Sequence, residues 1–326
     1  MNVYSCVDTE ADLTDWGIEI PLLYNRPKKI TEYLQSKFGK NIVKEIEWEL
    51  LSKKDLMLAH SPHYVESLFD SSSVDNVMME VYELKKEDGS NHRFNPEKKI
   101  KDFSELFYHQ HAEASGVFYS ALNAFKNKKD NFFLSGGMHH AMTDRGRGFC
   151  TLNDQVIAIK KLQLEHGLKN AWVIDLDVHK GDGTAECTKD DPSISTLSIH
   201  MEKGWPFDET WTPGPWDISS TVDIPIGVNE EESYLKKLEE GLNKLQEIGS
   251  IPDIVFVADG SDPYEKDELE SSKFIKLSKG QMLKRDLFVY HFIKEMNVPQ
   301  QWVMAGGYGE FSWEIYAQFL ERVAKT

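Results

Sequence analysis

Two aspartates and a histidine occupy alternate positions near the middle of the chain, in the run Asp175-Leu176-Asp177-Val178-His179. In an extended strand, alternate side chains point to the same face, so these polar groups share one side of a strand end. Charged groups in an apolar run are costly to bury unless a partner neutralises them. A divalent cation such as zinc, which accepts carboxylate oxygen and imidazole nitrogen, would do so. A salt-bridged strand end is the alternative interpretation.

Further polar residues follow other apolar runs. Asp262 comes after the apolar run 254–258 and offers another carboxylate ligand, although such aspartates also start ordinary turns. His139 and His140 follow two glycines, which let a backbone approach a metal ion or substrate closely. Because neighbouring side chains diverge in extended or turn segments, we expect these histidines to form an acid–base pair beside a metal.

Each histidine of such a pair needs a carboxylate that sets its tautomer and basicity. Asp175 and Asp182, the latter between two glycines, are the candidates for that role. Tyr308, which is also flanked by glycines, can donate a hydrogen bond to an oxyanion. Packing of its ring in an ordinary turn is the alternative.

These residues lie in loops that neighbouring elements must position. Short runs rich in β-branched and aromatic residues predict strands, and the segments between them show helical patterns. This alternation predicts an α/β fold with a parallel sheet, helices on both faces and a ligand crevice at the carboxyl ends of the strands. The predicted strands cover 131–134, 171–178, 194–200, 254–258 and 301–305, and the predicted helices 154–166, 230–248, 280–295 and 311–324.

The first 130 residues are less informative. Residues 83–102 are charged and rich in turn-forming types, which predicts a long loop that lies over the crevice. No repeat, low-complexity tract or linker divides the sequence. We therefore predict one domain over residues 1–326.

Composition restricts the classes of partner. The chain has 326 residues, 40% of them hydrophobic, and a net charge of −17. That acidic balance argues against a nucleic-acid surface, which needs clustered Lys and Arg. The three cysteines, Cys6, Cys150 and Cys187, lack disulfide or thiolate-metal spacing, and no run is apolar enough to span a membrane. The sequence predicts a cytoplasmic protein that binds neither nucleic acid nor membrane, and it leaves the oligomeric state open.

Together the motifs resemble those of the zinc-dependent histone deacetylase family, which has the arginase/deacetylase fold. The resemblance implies a single domain around a mostly parallel sheet of about eight strands with helices on both faces. It looks closest to bacterial or class IV-like members. The matching segments, in the family's order, are SGGMHHA (135–141), RGFCTLND (147–154), DLDVHKGDGTAE (175–186), STLSIH (195–200), DGSD (259–262) and AGGYG (305–309), with LAHSPHYVESL (58–68) matching more loosely.

The resemblance implies two metal ions. The family's zinc ligands match Asp177, His179 and Asp262, with Fe²⁺ as the alternative ion. A structural potassium ion lies near the zinc in family members. Its matching ligands are Asp175, Asp177, the backbone carbonyls of His179 and Ile199, and the side chain of Ser198.

The resemblance also implies catalytic roles. His140 matches the general base and acid, and His139 matches the histidine that stabilises charge in the transition state. Asp175 and Asp182 match the carboxylates that orient this pair. Tyr308 matches the tyrosine that polarises the acyl carbonyl.

The resemblance further implies a narrow tunnel that takes the acyl-lysine stem of the substrate. Gly148 and Phe149 match one of its walls, and either Trp205 or Phe207 supplies a second aromatic wall. Polyamine-selective relatives carry an acidic gatekeeper seven residues after the last zinc ligand, where this chain has Leu269 between two glutamates. This favours an acyl-lysine or another apolar stem.

Three regions depart from the family pattern. Many members carry a histidine where this chain has Lys180, which either raises the positive potential of the site or pairs with an acid such as Asp190. The family's Pro-Gly loop is rearranged into GWPFDETWTPGPWD at 204–217. Residues 83–102 hold no match for the rim aspartate that grips a peptide backbone.

The implied function is hydrolysis of an amide, which removes an acyl group, with acetyl as the first expectation, from a lysine side chain or a related small amine. An acetylpolyamine or other small-amide deacetylase is one alternative. A second is a non-catalytic scaffold of the same fold that binds acyl-lysine. A third is an arginase-like ureohydrolase, which requires two manganese ions and further aspartate and histidine ligands.

Overall fold

The centre of the molecule is one eight-stranded sheet. A computed structural model describes residues 1–6, 11–207, 217–248 and 251–325. The strands are β1 (Asn2–Ser5), β2 (Val43–Glu45), β3 (Asn131–Phe133), β4 (Ala171–Asp175), β5 (Ile194–Met201), β6 (Val222–Ile226), β7 (Ile254–Asp259) and β8 (Gln300–Met304). All pairings are parallel, in the order β2-β1-β3-β8-β7-β4-β5-β6.

Helices cover both faces of this sheet. The fold class predicted from the sequence, an α/β fold with a parallel sheet, is thereby confirmed. The helices are α1 (Arg26–Phe38), α2 (Lys53–Leu56), α3 (Pro62–Phe69), α4 (Val74–Val81), α5 (Phe103–Asn127), α6 (Asp154–His166), α7 (Asp182–Thr188), α8 (Tyr234–Ile248), α9 (Lys279–Glu295) and α10 (Ser312–Ala324).

Two hydrophobic cores follow from the alternation of side chains along the strands. On β3, Phe133 packs into a core with α5 and α6, whereas Phe132 packs into the opposite core with α1, α8, α9 and α10. Every residue of β4 and of β7 is buried, as expected for the central strands of a parallel sheet covered on both faces. The continuous apolar runs that predicted these strands therefore reflect burial on both sides.

Local signals fix some helix ends. The Asn153 side chain accepts a hydrogen bond from the Val156 backbone N–H, and α6 ends at Gly167 in the left-handed conformation. The Ser278 and Gln281 side chains form a reciprocal capping box at the start of α9. The helices predicted over 154–166 and 280–295 are confirmed to within one residue.

Strands β3, β8, β7 and β4 are neighbours in that order. Because they are parallel, their carboxyl ends meet at one edge of the sheet. The loops after them carry the SGGMHH, AGGYG, DGSD and DLDVH motifs, so the expected convergence of these loops is observed.

The N-terminal third contains elements that the sequence did not predict, including β1, β2, α1 and the 25-residue α5. Strand β6 was also missed. Residues 83–102 form a loop whose only regular element is a short 3-10 turn at Pro96–Lys98. The single-domain assignment stays a prediction. None of the described helices combines the length and the apolar character needed to cross a membrane.

Candidate functional site

Three ligand-type side chains meet at the carboxyl ends of β4 and β7. Asp177, His179 and Asp262 are all buried and offer ligand atoms within 4.8 Å of one another. His179 Nδ1 lies 3.0 Å from Asp177 Oδ1 and 3.2 Å from Asp262 Oδ2. The structure therefore brings together the three residues that the sequence selected as a metal site.

Backbone and side-chain contacts orient each member of this cluster. Gly306 N–H donates to Asp177 Oδ2 at 2.8 Å, and Val178 N–H donates to Asp262 Oδ1 at 3.0 Å. A Cβ at Gly306 would lie 2.3 Å from Asp177 Oδ2, so glycine is required for this close approach. His179 Nε2 lies 3.1 Å from Ser271 Oγ, which leaves Nδ1 facing the carboxylates.

The donor set fits a divalent cation. Among the described residues, the buried Asp262 Oδ2 has only the 3.2 Å contact with His179 Nδ1, a nitrogen that Asp177 Oδ1 also approaches at 3.0 Å. Burial and then the charge of Asp177 raise the pKa of Asp262 to about 7, which shows that the negative charge here lacks compensation. A single imidazole neutralises at most one of the two carboxylates, whereas a divalent ion neutralises both. Carboxylate oxygens and an imidazole nitrogen are ligands that zinc accepts.

Two histidine–aspartate dyads stand beside the cluster. His139 Nδ1 lies 2.6 Å from Asp175 Oδ2, and His140 Nδ1 lies 2.6 Å from Asp182 Oδ1. An ionised carboxylate only accepts hydrogen bonds, so each Nδ1 carries the proton. The ligand atoms of His139, His140 and Asp177 also lie within 4.8 Å of one another. The structure therefore places Asp175 beside His139 and Asp182 beside His140, and their orienting roles stay a prediction.

The loop that carries the histidines is held by Asp154, the first residue of α6. Its Oδ2 accepts from Gly137 N–H at 2.7 Å, and its Oδ1 accepts from Met138 N–H at 3.0 Å. Gly136 and Gly137 adopt φ values of 88° and 74°, in the left-handed region. Burial raises the pKa of Asp154 to about 6, and these backbone donors oppose that rise.

The two histidines differ in their proton affinity. Burial lowers the pKa of His139, but the charges of Asp175 and Asp177 outweigh burial and raise it to about 10. Burial and the charge of His139 lower the pKa of His140 to about 3. At neutral pH the pair therefore contains one cationic and one neutral imidazole.

Tyr308 is buried at the end of β8. Its backbone N–H donates to Asp267 Oδ2 at 2.7 Å, and its ring centroid lies 6.1 Å from that of Phe149. Burial and then the charge of Asp177 raise the pKa of Tyr308 well above its ordinary value. The hydroxyl therefore stays protonated and can act as a hydrogen-bond donor.

Trp205, rather than Phe207, lies against the candidate catalytic residues. Its ring centroid is 4.5 Å from that of His140 and 5.6 Å from that of His179. A Cβ at Gly148 would lie 2.3 Å from Trp205 Cη2, so the indole packs directly on the Gly148 backbone. Phe207 instead lies 5.8 Å from His200. Residues 208–216 of the same rearranged loop lie outside the described residues.

Phe149 faces the same cavity as the candidate catalytic residues. It has a φ of 67°, unusual for a residue with a side chain, and its ring stacks on Tyr82 with centroids 5.9 Å apart. The Arg93 guanidinium lies 5.6 Å from the centre of the Phe149 ring. The predicted long loop 83–102 thus contacts a wall of the cavity.

Sequence reasoning missed several charged residues at the site. Arg147 Nη1 donates to Asp182 Oδ2 at 3.1 Å, and its guanidinium lies 4.8 Å from the centre of a Trp205 ring. Arg26 lines the cavity and donates from Nη1 to the Gly307 carbonyl at 2.8 Å. Arg147 is the first residue of the matching segment 147–154, and that place in the motif is the signal that could have marked it.

Glu113 on α5 also lines the cavity. Its Oε1 accepts from Ser135 Oγ at 2.9 Å, and burial raises its pKa to about 8. Neither residue type nor spacing marks Glu113 in the sequence, because α5 itself was not predicted.

Lys180 does not pair with Asp190, one of the two roles suggested for it. Its ammonium lies 3.3 Å from Asp223 Oδ2 on β6, and the side chain is buried. Asp223 is the register partner of Ser198 on β5, which is itself the register partner of Asp175, so Asp223 lies at the same level of the sheet as the end of β4.

The residues expected to bind potassium lie at the ends of β4 and β5. Asp175 is the register partner of Ser198, whose Oγ accepts from Gly181 N–H at 3.2 Å. Asp175 Oδ1 accepts from Asp177 N–H at 3.1 Å. The potassium site stays a prediction.

Comparison with known proteins places this geometry in a family. A sequence model of the histone deacetylase domain matches residues 21–324. The chain belongs to the histone deacetylase family. The family resemblance seen in the sequence is thereby confirmed. The crystal structure of the HDA15 HD domain is similar in fold to this chain. That structure has a TM-score of 0.71 at 18% identity and covers 99% of this chain and 88% of the other.

Relatives within the histone deacetylase family differ in how much they share. Histone deacetylase 2 of Arabidopsis thaliana is 28% identical over 286 residues, 88% of this chain and 68% of that protein. An uncharacterized protein of Picosynechococcus is 32% identical over 54% of this chain and 55% of its own. Acetoin utilization protein AcuC of Bacillus subtilis is 25% identical over 58% of this chain and 49% of its own. The match to the last two spans about half their length. Family membership supports a deacetylase of the hydrolase class.

Proposed function

We propose that this chain is a zinc-dependent hydrolase that removes an acyl group, in the first instance acetyl, from the amine of a lysine side chain or a related small amine. The observation that carries the proposal is the position of the two histidine dyads. His139 and His140, each paired with a buried aspartate, present atoms within 4.8 Å of Asp177 in the candidate ligand cluster. A general base beside a metal site is the arrangement that metal-assisted hydrolysis of an amide uses.

Asp177, His179 and Asp262 are proposed to hold the zinc, with Fe²⁺ as the alternative ion. The bound ion would supply Lewis acidity that polarises the acyl carbonyl and acidifies water. A structural potassium ion is proposed as well. Its ligands would be Asp175, Asp177, Ser198 and the carbonyls of His179 and Ile199.

The protein side chains carry the proton transfers. His140 Nδ1 is bonded to Asp182, so Nε2 accepts a proton from the attacking water as its oxygen adds to the acyl carbon. The Tyr308 hydroxyl donates to the oxyanion that forms. His140 then gives the proton to the amine nitrogen as the carbon–nitrogen bond breaks, which releases a free amine and an acid. Cationic His139 stabilises the negative charge between these steps.

The residues that line the site favour a substrate with a narrow apolar stem. Phe149 and Gly148 line the cavity, and the Trp205 indole packs on the Gly148 backbone beside His140. Leu269 is buried in the core at the position of the acidic gatekeeper, and the neighbouring Glu268 accepts from Glu310 N–H. These contacts favour an acyl-lysine over an acylpolyamine.

The deciding experiment is an activity screen of zinc-loaded protein on acyl-lysine peptides, acylated polyamines and small amides. We expect turnover of acetyl-lysine that a hydroxamate blocks. Tyr308→Phe is the matched control, because it removes one hydroxyl and leaves the ligands in place. Loss of one oxyanion donor should lower turnover about 100- to 1,000-fold with zinc still bound.

Other outcomes select the alternatives. Preferred turnover of acylated polyamines would identify a polyamine deacetylase. Bound zinc without turnover on the whole panel would indicate a non-catalytic scaffold that binds acyl-lysine. Two manganese ions per chain would indicate an arginase-like enzyme and contradict the mononuclear site.

A further inference from the structure

A fully buried arginine lies directly behind the candidate metal site. Arg285 on α9 has 0% exposure. Its Nη1 donates to the Leu176 carbonyl at 2.9 Å, and its Nη2 donates to the Gly260 carbonyl at 2.8 Å and to Asp259 Oδ1 at 2.7 Å. Its Nε donates to Asp286 Oδ1 at 2.7 Å. One guanidinium therefore makes four hydrogen bonds from three nitrogens.

Two of these acceptors belong to the loops that carry the candidate ligands. Leu176 directly precedes Asp177 after β4, and Gly260 lies two residues before Asp262 after β7. Arg285 thus joins the two loops through their backbones. Because the guanidinium is planar and rigid, it fixes the separation of the two carbonyls, which a flexible ammonium cannot do.

Charge balance alone does not explain this arrangement. Pairing with Asp259 and Asp286 would neutralise the arginine without any contact to the ligand loops. Buried ion pairs are in general no more stabilising than apolar side chains of the same size. The two carbonyl contacts are therefore the distinctive feature, and they point to a role in geometry.

We propose that Arg285 is a positioning residue that holds Asp177 and Asp262 at the spacing required for metal binding. This inference rests on the proposed metal-dependent function. Hydrogen bonds behind a metal site orient its ligands, and their loss typically weakens metal binding about 10- to 100-fold.

The test measures zinc affinity in the full chain with Arg285→Lys. Lysine keeps the positive charge that Asp259 and Asp286 require, but its single nitrogen cannot reach both carbonyls in the same geometry. We expect the Kd for zinc, measured by competition with a chelating dye, to rise about 10- to 100-fold. The rise in Tm on adding zinc should shrink accordingly, since ligand binding stabilises the folded state by an amount that grows with the logarithm of the affinity.

Leu238→Ala is the matched control for a general loss of stability. Leu238 is fully buried on α8, which packs against β5 and β6. This variant should lower the Tm of the metal-free protein and leave the zinc Kd unchanged. If Arg285→Lys likewise lowers Tm but binds zinc as tightly as the wild type, Arg285 is only structural and the proposal fails.

A second variant covers the case in which Arg285→Lys does not fold. The double variant Arg285→Gln/Asp286→Asn removes the guanidinium together with one of its carboxylate partners, so less buried charge is left unpaired, and one amide cannot hold both carbonyls. We expect the same loss of zinc affinity, and wild-type affinity in this folded double variant would overturn the proposal. Failure of the wild-type chain to bind zinc is a different result, because it would refute the proposed metal-dependent function itself.

Discussion

The two histidine dyads have the same composition and the same hydrogen-bond length, but their surroundings differ. The Nδ1–carboxylate distance is 2.6 Å in both. His139 Nε2 faces a second carboxylate, with Asp177 Oδ1 at 3.7 Å. The His140 dyad instead meets a cation, because Asp182 is also bound by Arg147 at 3.1 Å. One dyad therefore lies in a negative environment and the other beside a positive one.

This difference gives the two histidines different protonation states at neutral pH. The pKa of His139 is raised to about 10, chiefly because Asp175 and Asp177 overcome the effect of burial, whereas burial and the charge of His139 lower that of His140 to about 3. Arg147 acts in the same sense, since it helps to hold the pKa of Asp182 below its ordinary value. Each histidine has its own carboxylate, so the difference between the two imidazoles comes from the groups around them, Asp177 beside His139 and cationic His139 beside His140.

Replacing each of the two histidines in turn should produce the largest loss of activity and should show how their roles differ. His140→Ala removes the neutral base, and general acid–base catalysis contributes about 100- to 10,000-fold. We expect a loss of kcat in that range, and a smaller loss for His139→Ala, with zinc content measured in both. A larger loss for His139→Ala would mean that the roles are reversed.

The charge of His139 should govern the alkaline side of the pH profile. Its pKa of about 10 keeps it cationic at neutral pH, so kcat should fall as pH rises through about 10. Asp175→Asn removes one of the two charges that raise this pKa. The alkaline limb should then move down towards the ordinary histidine value of about 6.5. An unchanged limb in Asp175→Asn would show that another group controls it.

Substitutions of Arg147 test whether the cation beside Asp182 affects the proton affinity of His140. Arg147→Met removes the cation beside Asp182, whose charge then stabilises protonated His140 more strongly. We expect the acid limb of kcat/KM to move to higher pH, by about one pH unit for each 1.4 kcal/mol of lost charge interaction. Arg147→Lys keeps the charge and should hold the acid limb in place. Identical profiles for the two variants would limit Arg147 to packing on Trp205.

The smallest effect is expected from the indole that touches only the second dyad. Trp205→Phe keeps an aromatic surface beside His140, whereas Trp205→Ala removes it. An aromatic contact is worth about 0.5–1.5 kcal/mol, so Trp205→Ala should raise KM for acetyl-lysine about 2- to 10-fold, with less change for Phe. An equal rise in KM for substrates without a lysine stem would contradict a role in the tunnel wall.

Much of the fold and of the candidate site was readable from local patterns. The apolar runs of β4 and β7 predicted buried strands because both faces of these strands are covered. Helix α5 was missed because it is buried over much of its surface, which weakens a one-sided apolar stripe. Strands β1 and β2, at four and three residues, are too short to show a period.

The sequence by itself determined which residue types stand at the strand ends, namely the candidate metal ligands Asp177, His179 and Asp262 and the histidine pair. Only the tertiary structure decided their surroundings: Arg147 on Asp182, Arg285 behind the ligand loops, Trp205 in place of Phe207, and Lys180 paired with Asp223. The physical reason is the separation along the sequence of the residues that make each contact. Strand ends and helix caps depend on neighbours a few residues away, whereas these contacts join positions that only the packed sheet and its helices bring together.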